Sequence, residues 1–371
     1  MKTSLLALAS LFGCVQVAQA AATALKLLPE HLPRFLQERS TLEQELTAWK
    51  RSAAGEFAKQ NDYFLAKEQH VLTVEQTKED QLRRFFLTKL GIQQAQQQNP
   101  DAVFSTDSPF SLMTDDEFAK FLGKSFQRST DVLGDVSHVT KLQAANATAP
   151  IAAADKDWTT SGCVAPVKNQ GQCGSCWAFA SVASLESAYC LQGHPLTLFS
   201  EQQVLSCDTV SGGCEGGFPG DGLNYVQQNR GICLAESYPY ASGQTQESGE
   251  CDTASCSVQA LAIQQVVNVP QSESGLVAAL GRQPVAVGVA AGNNTWKQYK
   301  GGVVSACSSS QLDHAVLAVG FGGSGSATPF FKIKNSWGTS WGEAGFIRLK
   351  RGVAGAGTCG VVGPKSVYPK L

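Results

Sequence analysis

The chain has 371 residues, 43% of them hydrophobic, and 29 Lys and Arg against 31 Asp and Glu give a formal charge of −2. That length and apolar content suit one or two packed domains, and with no basic block or acidic tail nothing points to nucleic acid or an anionic membrane as a partner. Beyond the first 20 residues no run approaches the ~18 consecutive apolar residues of a membrane helix, so no membrane anchor is expected.

In chain order the first element is MKTSLLALASLFGCVQVAQA, with Lys2 as a short basic head, a mostly apolar run from Leu5 to Val17 and an A-x-A site at Ala18-Gln19-Ala20. It reads as a signal peptide over 1–20, which predicts entry into the secretory pathway, an extracellular or lysosomal/vacuolar destination and a setting that permits disulfides. From about Ala22 to Gln98 the chain is rich in Leu, Glu, Lys and Gln, with Pro29 and Pro33 as its only prolines. LEQELTAWKRSAAGEFAKQ and KEDQLRRFFLTKLGIQQAQQQ carry apolar residues at roughly helical spacing, predicting two or three amphipathic helices. Residues 101–150 read as looser, and KLQAANATAPIAAAD as an exposed, cleavable linker. Asn146-Ala147-Thr148 there and Asn293-Asn294-Thr295 further on are N-glycosylation sequons.

Cysteine usage divides the chain. Cys14 leaves with the signal, residues 21–150 contain none, and eleven lie between Cys163 and Cys359. An odd number in an exported chain predicts bridges plus one thiol kept out of them. In the rear part, CWAFASVASLESAYCL (Cys176 to Leu191) has apolar residues at 177, 179, 182, 185 and 189, which predicts a helix with Ser175 as N-cap and Cys176 in the first turn. Residues 198–230 predict another helix or two, broken by SGGCEGGFPGDG. From Gln264 the segments PVAVGVAAG, DHAVLAVGFGG, FFKIKNSWG and GFIRLKRG are strand-like and separated by Gly-rich turns. The rear half therefore divides into a mainly helical part and a mainly β part.

The pair Cys173-x-x-Cys176 in NQGQCGSCWAFA admits three chemistries. A structural zinc site wants four Cys or His ligands, yet Cys251 and Cys256 make a poorly spaced second pair and the rear half has only His194 and His314, so no metal is expected. A redox dithiol would follow a strand in a βαβ unit, and none precedes Asn169. The third reading is a nucleophile. A thiol acquires a low pKa at a helix start or beside an imidazolium, and Cys176 offers the helix start. His314, among strand residues, is the better base, since His194 lies in a polar turn. Asn335 ends the next predicted strand, where it could orient the His314 ring. Gln170 could donate its amide to a developing oxyanion, with the Cys176 backbone N–H as second donor. Singly each residue has an ordinary structural explanation; together, in an exported chain with an odd cysteine count, they point to nucleophilic catalysis.

DWTTSGCVAPVKNQGQCGSCWAFA, SEQQVLSCD, GCEGGFP, YPY, LDHAVLAVGFG, KNSWGTSWGEAGFIRLKRG and TCGVVGPKSVYP resemble, in order from about Asp157 to Pro369, the papain-like cysteine proteases of the cathepsin L type. The resemblance implies an α+β, papain-like two-domain fold: a helical left domain (about 160–262) and a β-barrel-like right domain (about 263–358), preceded by a mainly helical propeptide. It implies an inhibitory propeptide over 21–150 and a peptidase domain over 151–371. Cys176 takes the place of the nucleophile, His314 of the base and later acid, Asn335 of the orienter and Gln170 of the oxyanion donor. Trp337 and Trp341 match the tryptophans that shield the His–Asn pair. Gly216 and Gly217 match the glycines whose backbone pairs with extended substrate. Phe218, Pro219, Gly288 and Leu312 fall at the pocket for the second substrate side chain before the cut, and Asp313 and Trp337 are further substrate contacts.

The same matching implies bridges Cys173–Cys214, Cys207–Cys251 and Cys307–Cys359; Cys233 with Cys256 fits their closeness to the second of these, and Cys163 and Cys190 stay open. Glu79 and Arg83 fit the family's helical propeptide signature, while Leu90, Gln94 and Gln98 depart from it at later positions. SPFSLMTDDEF resembles the second propeptide motif, with Leu112 where an acidic residue is usual. One extra residue between Cys359 and Tyr368 makes Pro364 and Lys365 alternative occupants of the pocket floor; Lys365 would favour an acidic substrate side chain, Pro364 an apolar one. No long His-bearing insertion follows Cys251, which implies an endopeptidase. Protein and peptide substrates, the chain's own propeptide as intramolecular inhibitor, a monomer and no cofactor complete the expectation. A catalytically dead, ligand-binding relative would have lost the nucleophile or the base, and neither is replaced.

Overall fold

The computed structural model describes residues 25–63, 72–123, 154–309 and 311–371. The expected signal peptide, the sequon at Asn146 and the linker up to Ala153 lie outside them. The helical front is built as its apolar spacing requires. After a 3-10 turn at Pro29–His31 come helices α1 (Leu32–Lys50), α2 (Ala53–Gln60) and α3 (Val74–Gln98). Phe35, Leu42, Leu46 and Trp49 of α1 recur at helical intervals and are buried with Leu82, Phe85 and Phe86 of α3. Ser52 caps α2, and Thr73 with Gln76 closes a reciprocal capping box on α3. Glu79 on α3 accepts from Arg39 of α1 at 2.6 Å and from Arg83 at 2.9 Å. Burial pushes its carboxyl up, but the two guanidiniums outweigh that and hold it below the ordinary range.

Residues 101–123 are more ordered than expected. Strand β1 (Ala102–Phe104) pairs antiparallel with β7 of the rear domain, described below, and helix α4 (Asp115–Gly123) follows. Both were hard to read: β1 is three residues long and is defined by its distant partner, not by a pattern of its own. The start of α4 did carry a signal, the T-x-x-E of Thr114 and Glu117, which hydrogen-bond reciprocally at 3.2 and 2.8 Å. Leu112 is buried, and the carboxylates nearby come from Asp80 and Glu117, both bound to buried Arg84.

The rear part begins with β2 (Lys156–Asp157), α5 (Cys176–Leu191), α6 (Glu201–Cys207), α7 (Pro219–Asn229), β3 (Gly231–Cys233), α8 (Ser242–Thr245) and β4 (Val258–Ala260). It continues with β5 (Gln265–Asn268), α9 (Glu273–Leu280), β6 (Val285–Val289), α10 (Asn294–Lys297), β7 (Tyr299–Val304), β8 (His314–Gly322), β9 (Phe330–Lys334), β10 (Phe346–Lys350) and β11 (Val367–Lys370). The strands form one sheet ordered β1-β7-β10-β9-β8-β6-β11-β5, with β2 also on β8, and a separate β3–β4 pair. The β part therefore runs on past the expected limit at 358: β11, which includes a proline, pairs with β5 and β6. Helix α5 is buried around most of its circumference, against α6 and α7 on one side and β8 on the other. The fold is the expected α+β arrangement, helical part beside β part, with a helical front.

Two apolar clusters result. One gathers Trp177, Leu185, Phe199, Val204 and Leu223 of the helical part with Ala286, Ala315 and Val367 of the sheet. The other runs without a break from the sheet into the front helices. Its junction is aromatic: Phe110 lies with its ring centroid 5.2 Å from Trp337, 5.0 Å from Tyr63 and 5.2 Å from Phe118. Five disulfides join Cys163–Cys190, Cys173–Cys214, Cys207–Cys251, Cys233–Cys256 and Cys307–Cys359, so the pair left open by the sequence is bridged. The sequon at Asn293 is corrected by burial: the residue is 7% exposed, its Nδ2 donates to Ala290 O at 2.9 Å and its Oδ1 caps α10, leaving no room for a glycan. Because Phe110 is fully buried at the junction, Phe110→Ala should lower the unfolding free energy of the intact chain by about 3–5 kcal/mol. Denaturant titration measures it, and a loss below about 1 kcal/mol would contradict that packing.

Candidate active site

Three chain segments meet where α5 crosses the start of β8. Cys176 is the first residue of α5, with its backbone N–H and its side chain at the positive end of the helix. Ser175 holds the N-cap position, but its side chain makes no cap bond; its Oγ lies 2.7 Å from the Tyr240 hydroxyl. His314 opens β8 and is paired with Val289 of β6, so its ring leaves the start of a central strand. Asn335 directly follows β9, which runs antiparallel to β8. That hairpin brings His314 Nε2 to 2.8 Å from Asn335 Oδ1. Since an amide oxygen accepts, the ring carries its proton on Nε2 when neutral, which leaves Nδ1 as the basic nitrogen. Nδ1 is buried and hydrogen-bonds to no protein atom. The Ala315 N–H donates to Cys176 Sγ at 3.3 Å, placing the sulfur against the residue next to His314. Cys176 is the one cysteine of the described residues outside a disulfide.

Gln170 is held at four points. Its N–H donates to Ser336 O at 2.9 Å, its Oε1 accepts from Ser336 Oγ at 2.7 Å, its Nε2 donates to Cys173 O at 3.0 Å and its carbonyl accepts from Tyr240 at 2.7 Å. The amide nitrogen carries a second proton beyond the one given to Cys173 O. Ser336 went unnoticed in the sequence although it lies in the NSW stretch, because a serine beside an asparagine reads as a turn. Trp337 stacks on His314 with centroids 4.7 Å apart and planes at 23°, and Trp296 and Trp341 complete the indole shell. Trp296 also escaped notice, since a short helix after a sequon gives no pattern. His194 stacks on Tyr189 at the far end of α5.

The remaining expected residues lie around this centre. A methyl added at Gly217 would meet Trp177 at 2.8 Å, so a glycine is needed for the backbone to run that close to the cysteine helix. Gly216, at φ +112, precedes it. Gly288 pairs with Ala315 on the sheet, and Leu312 packs on Gly360. Lys365 Nζ lies 4.5 Å from the Phe218 ring centroid, and Pro219 starts α7. Asp313 accepts from the N–H groups of Ala291 and Gly292 at 2.7 and 2.9 Å, yet burial pushes it up to about 6. Behind Asn335 a cavity of about 20 Å³ is lined in part by Lys168, Glu201 and Lys334. Lys168 bonds both Glu186 of α5 and Glu201 of α6, tying the segment that leads into Gln170 to the cysteine helix.

The front domain meets the rear part at Trp337 and at the loop that holds Gln170. Phe110, Phe118 and Phe121 cover Trp337. Asn61 Oδ1 accepts from Asn169 Nδ2 at 2.8 Å, Tyr63 donates to Asn169 Oδ1, and Gln172 Nε2 donates to Asn61 O at 2.9 Å, so the end of α2 grips the loop that holds Gln170. Among the described residues no His, Cys, Asp and Glu cluster has metal-binding geometry, and no helix is long and apolar enough to cross a membrane.

Burial pushes His314 down to about 4, against a raising contribution from Asn335. An unfolded histidine protonates near pH 6.5. His314 therefore stabilises the closed chain above pH 6.5, and that contribution is lost as pH falls toward 4. Asp313, raised, acts oppositely: it favours the folded chain increasingly as pH falls through about 6. In the intact chain the His314 ring nitrogens should hold neutral NMR shifts from pH 7 to about 5; a midpoint near 6.5 would contradict a desolvated site.

Comparisons with known proteins agree with this geometry. The family model for papain family cysteine proteases matches residues 152–369. A cysteine proteinase of Trypanosoma brucei brucei is 38% identical over 257 residues, 68% of this chain and 55% of that protein. The senescence-specific cysteine protease SAG39 of Oryza sativa subsp. indica is 40% identical over 218 residues, 57% of this chain and 62% of that protein. The chain thus spans little more than half the length of these relatives. Among solved structures, the proform of the ragweed pollen allergen cysteine protease Amb a 11 superposes with a TM-score of 0.74 at 28% identity, covering 94% of this chain and 89% of that one. A recombinant stem bromelain precursor gives 0.64 at 31% identity, covering 85% and 99%.

Proposed function

The chain belongs to the papain family of cysteine proteases, and from that premise we propose that it is a cysteine endopeptidase made as a proform, with Cys176 as nucleophile. The observation that carries the proposal is the buried meeting of Cys176, His314 and Asn335, with Sγ against Ala315 N–H and Nε2 fixed at 2.8 Å by Asn335. In the proposed reaction His314 Nδ1 takes the thiol proton and Sγ forms a bond to the peptide carbonyl carbon. The negative oxygen is met by Gln170 Nε2–H and the Cys176 N–H. The C–N bond then breaks as His314 gives its proton to the leaving amine. Water, deprotonated by His314, adds to the thioester carbonyl, the C–S bond breaks to release the acid, and His314 returns the proton to sulfur. No cofactor enters these steps.

Residues 21–150 are proposed as the inhibitory propeptide and 151–371 as the peptidase. The cover of Trp337 and the grip on Asn169 and Gln172 support that division. Entry into the secretory pathway, a lysosomal, vacuolar or extracellular destination, a monomeric state without membrane anchor, and a glycan at Asn146 rest on the sequence and on the disulfide-rich rear part. Extended peptide would lie along Gly216 and Gly217, with its second side chain before the cut near Phe218, Pro219, Gly288 and Leu312. Lys365 at Phe218 supports the acidic preference of the two that the sequence left open.

After acid treatment and removal of the front domain, the chain should hydrolyse peptides, and Cys176→Ser should lower kcat by on the order of 10⁴-fold or more. Wild-type turnover in that variant would overturn the assignment. Lys365→Glu should shift the ratio of kcat/KM for Glu over Leu at the second position by at least about tenfold, the range of one pocket charge. An unchanged ratio would exclude Lys365 from the pocket.

A further inference from the structure

The six residues from Gln170 to Ser175 join the proposed oxyanion donor to the nucleophile, and the spacing of those two groups depends on the shape of this loop. Gly171 has φ +60, and a methyl there would meet Gly243 O at 2.5 Å; Gln172 N–H donates to that same oxygen at 2.9 Å. The segment 240–243 therefore forms the mould of the loop. It is itself fixed from α6: Gln202 Oε1 accepts from the N–H groups of Ala241 and Ser242 at 2.9 and 3.1 Å.

One side chain of this segment touches both ends of the loop. The Tyr240 hydroxyl donates to Gln170 O at 2.7 Å and lies 2.7 Å from Ser175 Oγ. With its proton directed at the carbonyl, the phenol oxygen accepts from Ser175. Burial pushes the phenol above its ordinary range, so it keeps that proton at any working pH. The Tyr240 ring meets Phe179, in the first turn of α5, edge-on at 4.8 Å. At Gln170, Ser336 fixes the peptide before Cα and Tyr240 the peptide after it, leaving only the side-chain torsions to aim the amide.

We propose that Tyr240 is a positioning residue for the oxyanion site: without touching substrate, its hydroxyl sets the distance between the Gln170 amide and the Cys176 N–H. This rests on reading Gln170 as the oxyanion donor. A donor must sit within a few tenths of an ångström of where the charge develops, and a hydroxyl bonded at both ends of a loop supplies that constraint.

The test is a double-mutant cycle on the processed enzyme with Tyr240→Phe, Gln170→Ala and both together, reading kcat and KM on a peptide amide and the rate of Cys176 alkylation by iodoacetamide. Alkylation of sulfur by an alkyl halide passes through no oxyanion. Tyr240→Phe should lower kcat about tenfold, the worth of roughly one hydrogen bond, with KM and alkylation within twofold of wild type. Adding it to Gln170→Ala should cause no further loss. Gly243→Ala, whose methyl would meet Gln170 O at 2.8 Å and the Tyr240 ring at 2.9 Å, should reproduce the same signature should the phenylalanine variant not fold. An unchanged kcat, a loss fully multiplicative with Gln170→Ala, or slowed alkylation would overturn the proposal. Wild-type kcat in Gln170→Ala would instead remove the oxyanion reading on which it rests.

Discussion

The stacking of Trp337 on His314 is the contact on which the rest of the structure turns. One face of the indole lies against the imidazole, and its edges receive Phe110 and Phe118 from the front domain. A single fully buried side chain thus connects the apolar core of the front helices to the ring that would carry the proton. His314 is fully buried beneath Trp337. In a low-dielectric site an imidazolium has no hydration to sustain it, and the neutral ring is what remains. On the propeptide reading proposed above, the front domain would restrain the chemistry by withholding the cation that stabilises a Cys176 thiolate.

The second constraint is covalent and polar. Helix α5 is buried almost all round, so Cys176 sits at a rigid helix start and not on a surface loop. The Cys173–Cys214 bridge anchors the turn before it, and Lys168, Glu186 and Glu201 hold the lead-in to Gln170 against the same helix. Buried ions of this kind add little net stability, but breaking any one leaves an uncompensated charge, so the arrangement is specific. Gln170 and Cys176 come from one stretch at the start of α5, while His314 and Asn335 come from the β8–β9 hairpin that packs against it.

Much of the site was legible in the sequence because its residues announce themselves by type and company. Cys176 stands at a helix start and His314 in an all-apolar strand, while Asn335 follows the next strand across a Gly-rich turn; turn chemistry places Asn335 near His314, and the joining of Cys176 to them is what the family resemblance implies. The helices α1 and α3 were legible from their apolar spacing. What escaped was set by partners far along the chain. Strand β1 exists because β7 offers it an edge, and β11 contains a proline that reads as a breaker until it is seen between β5 and β6. Tyr240 and Ser336 are ordinary residues whose roles follow from a loop folded 70 and 166 positions away. The sequon at Asn293 failed because the pattern carries no information on burial.

The most direct measurement follows one thiol through activation. The intact chain and the chain freed of its front domain are each treated with substoichiometric iodoacetamide, the alkylated cysteine is mapped by mass spectrometry, and peptide hydrolysis is read in the same tube. A cysteine protease held shut by its own front domain gives little labelling at first, then selective labelling of Cys176 with a proportional loss of hydrolysis. Hydrolysis that persists with Cys176 fully alkylated, or equal labelling of Cys176 before and after release, would contradict it.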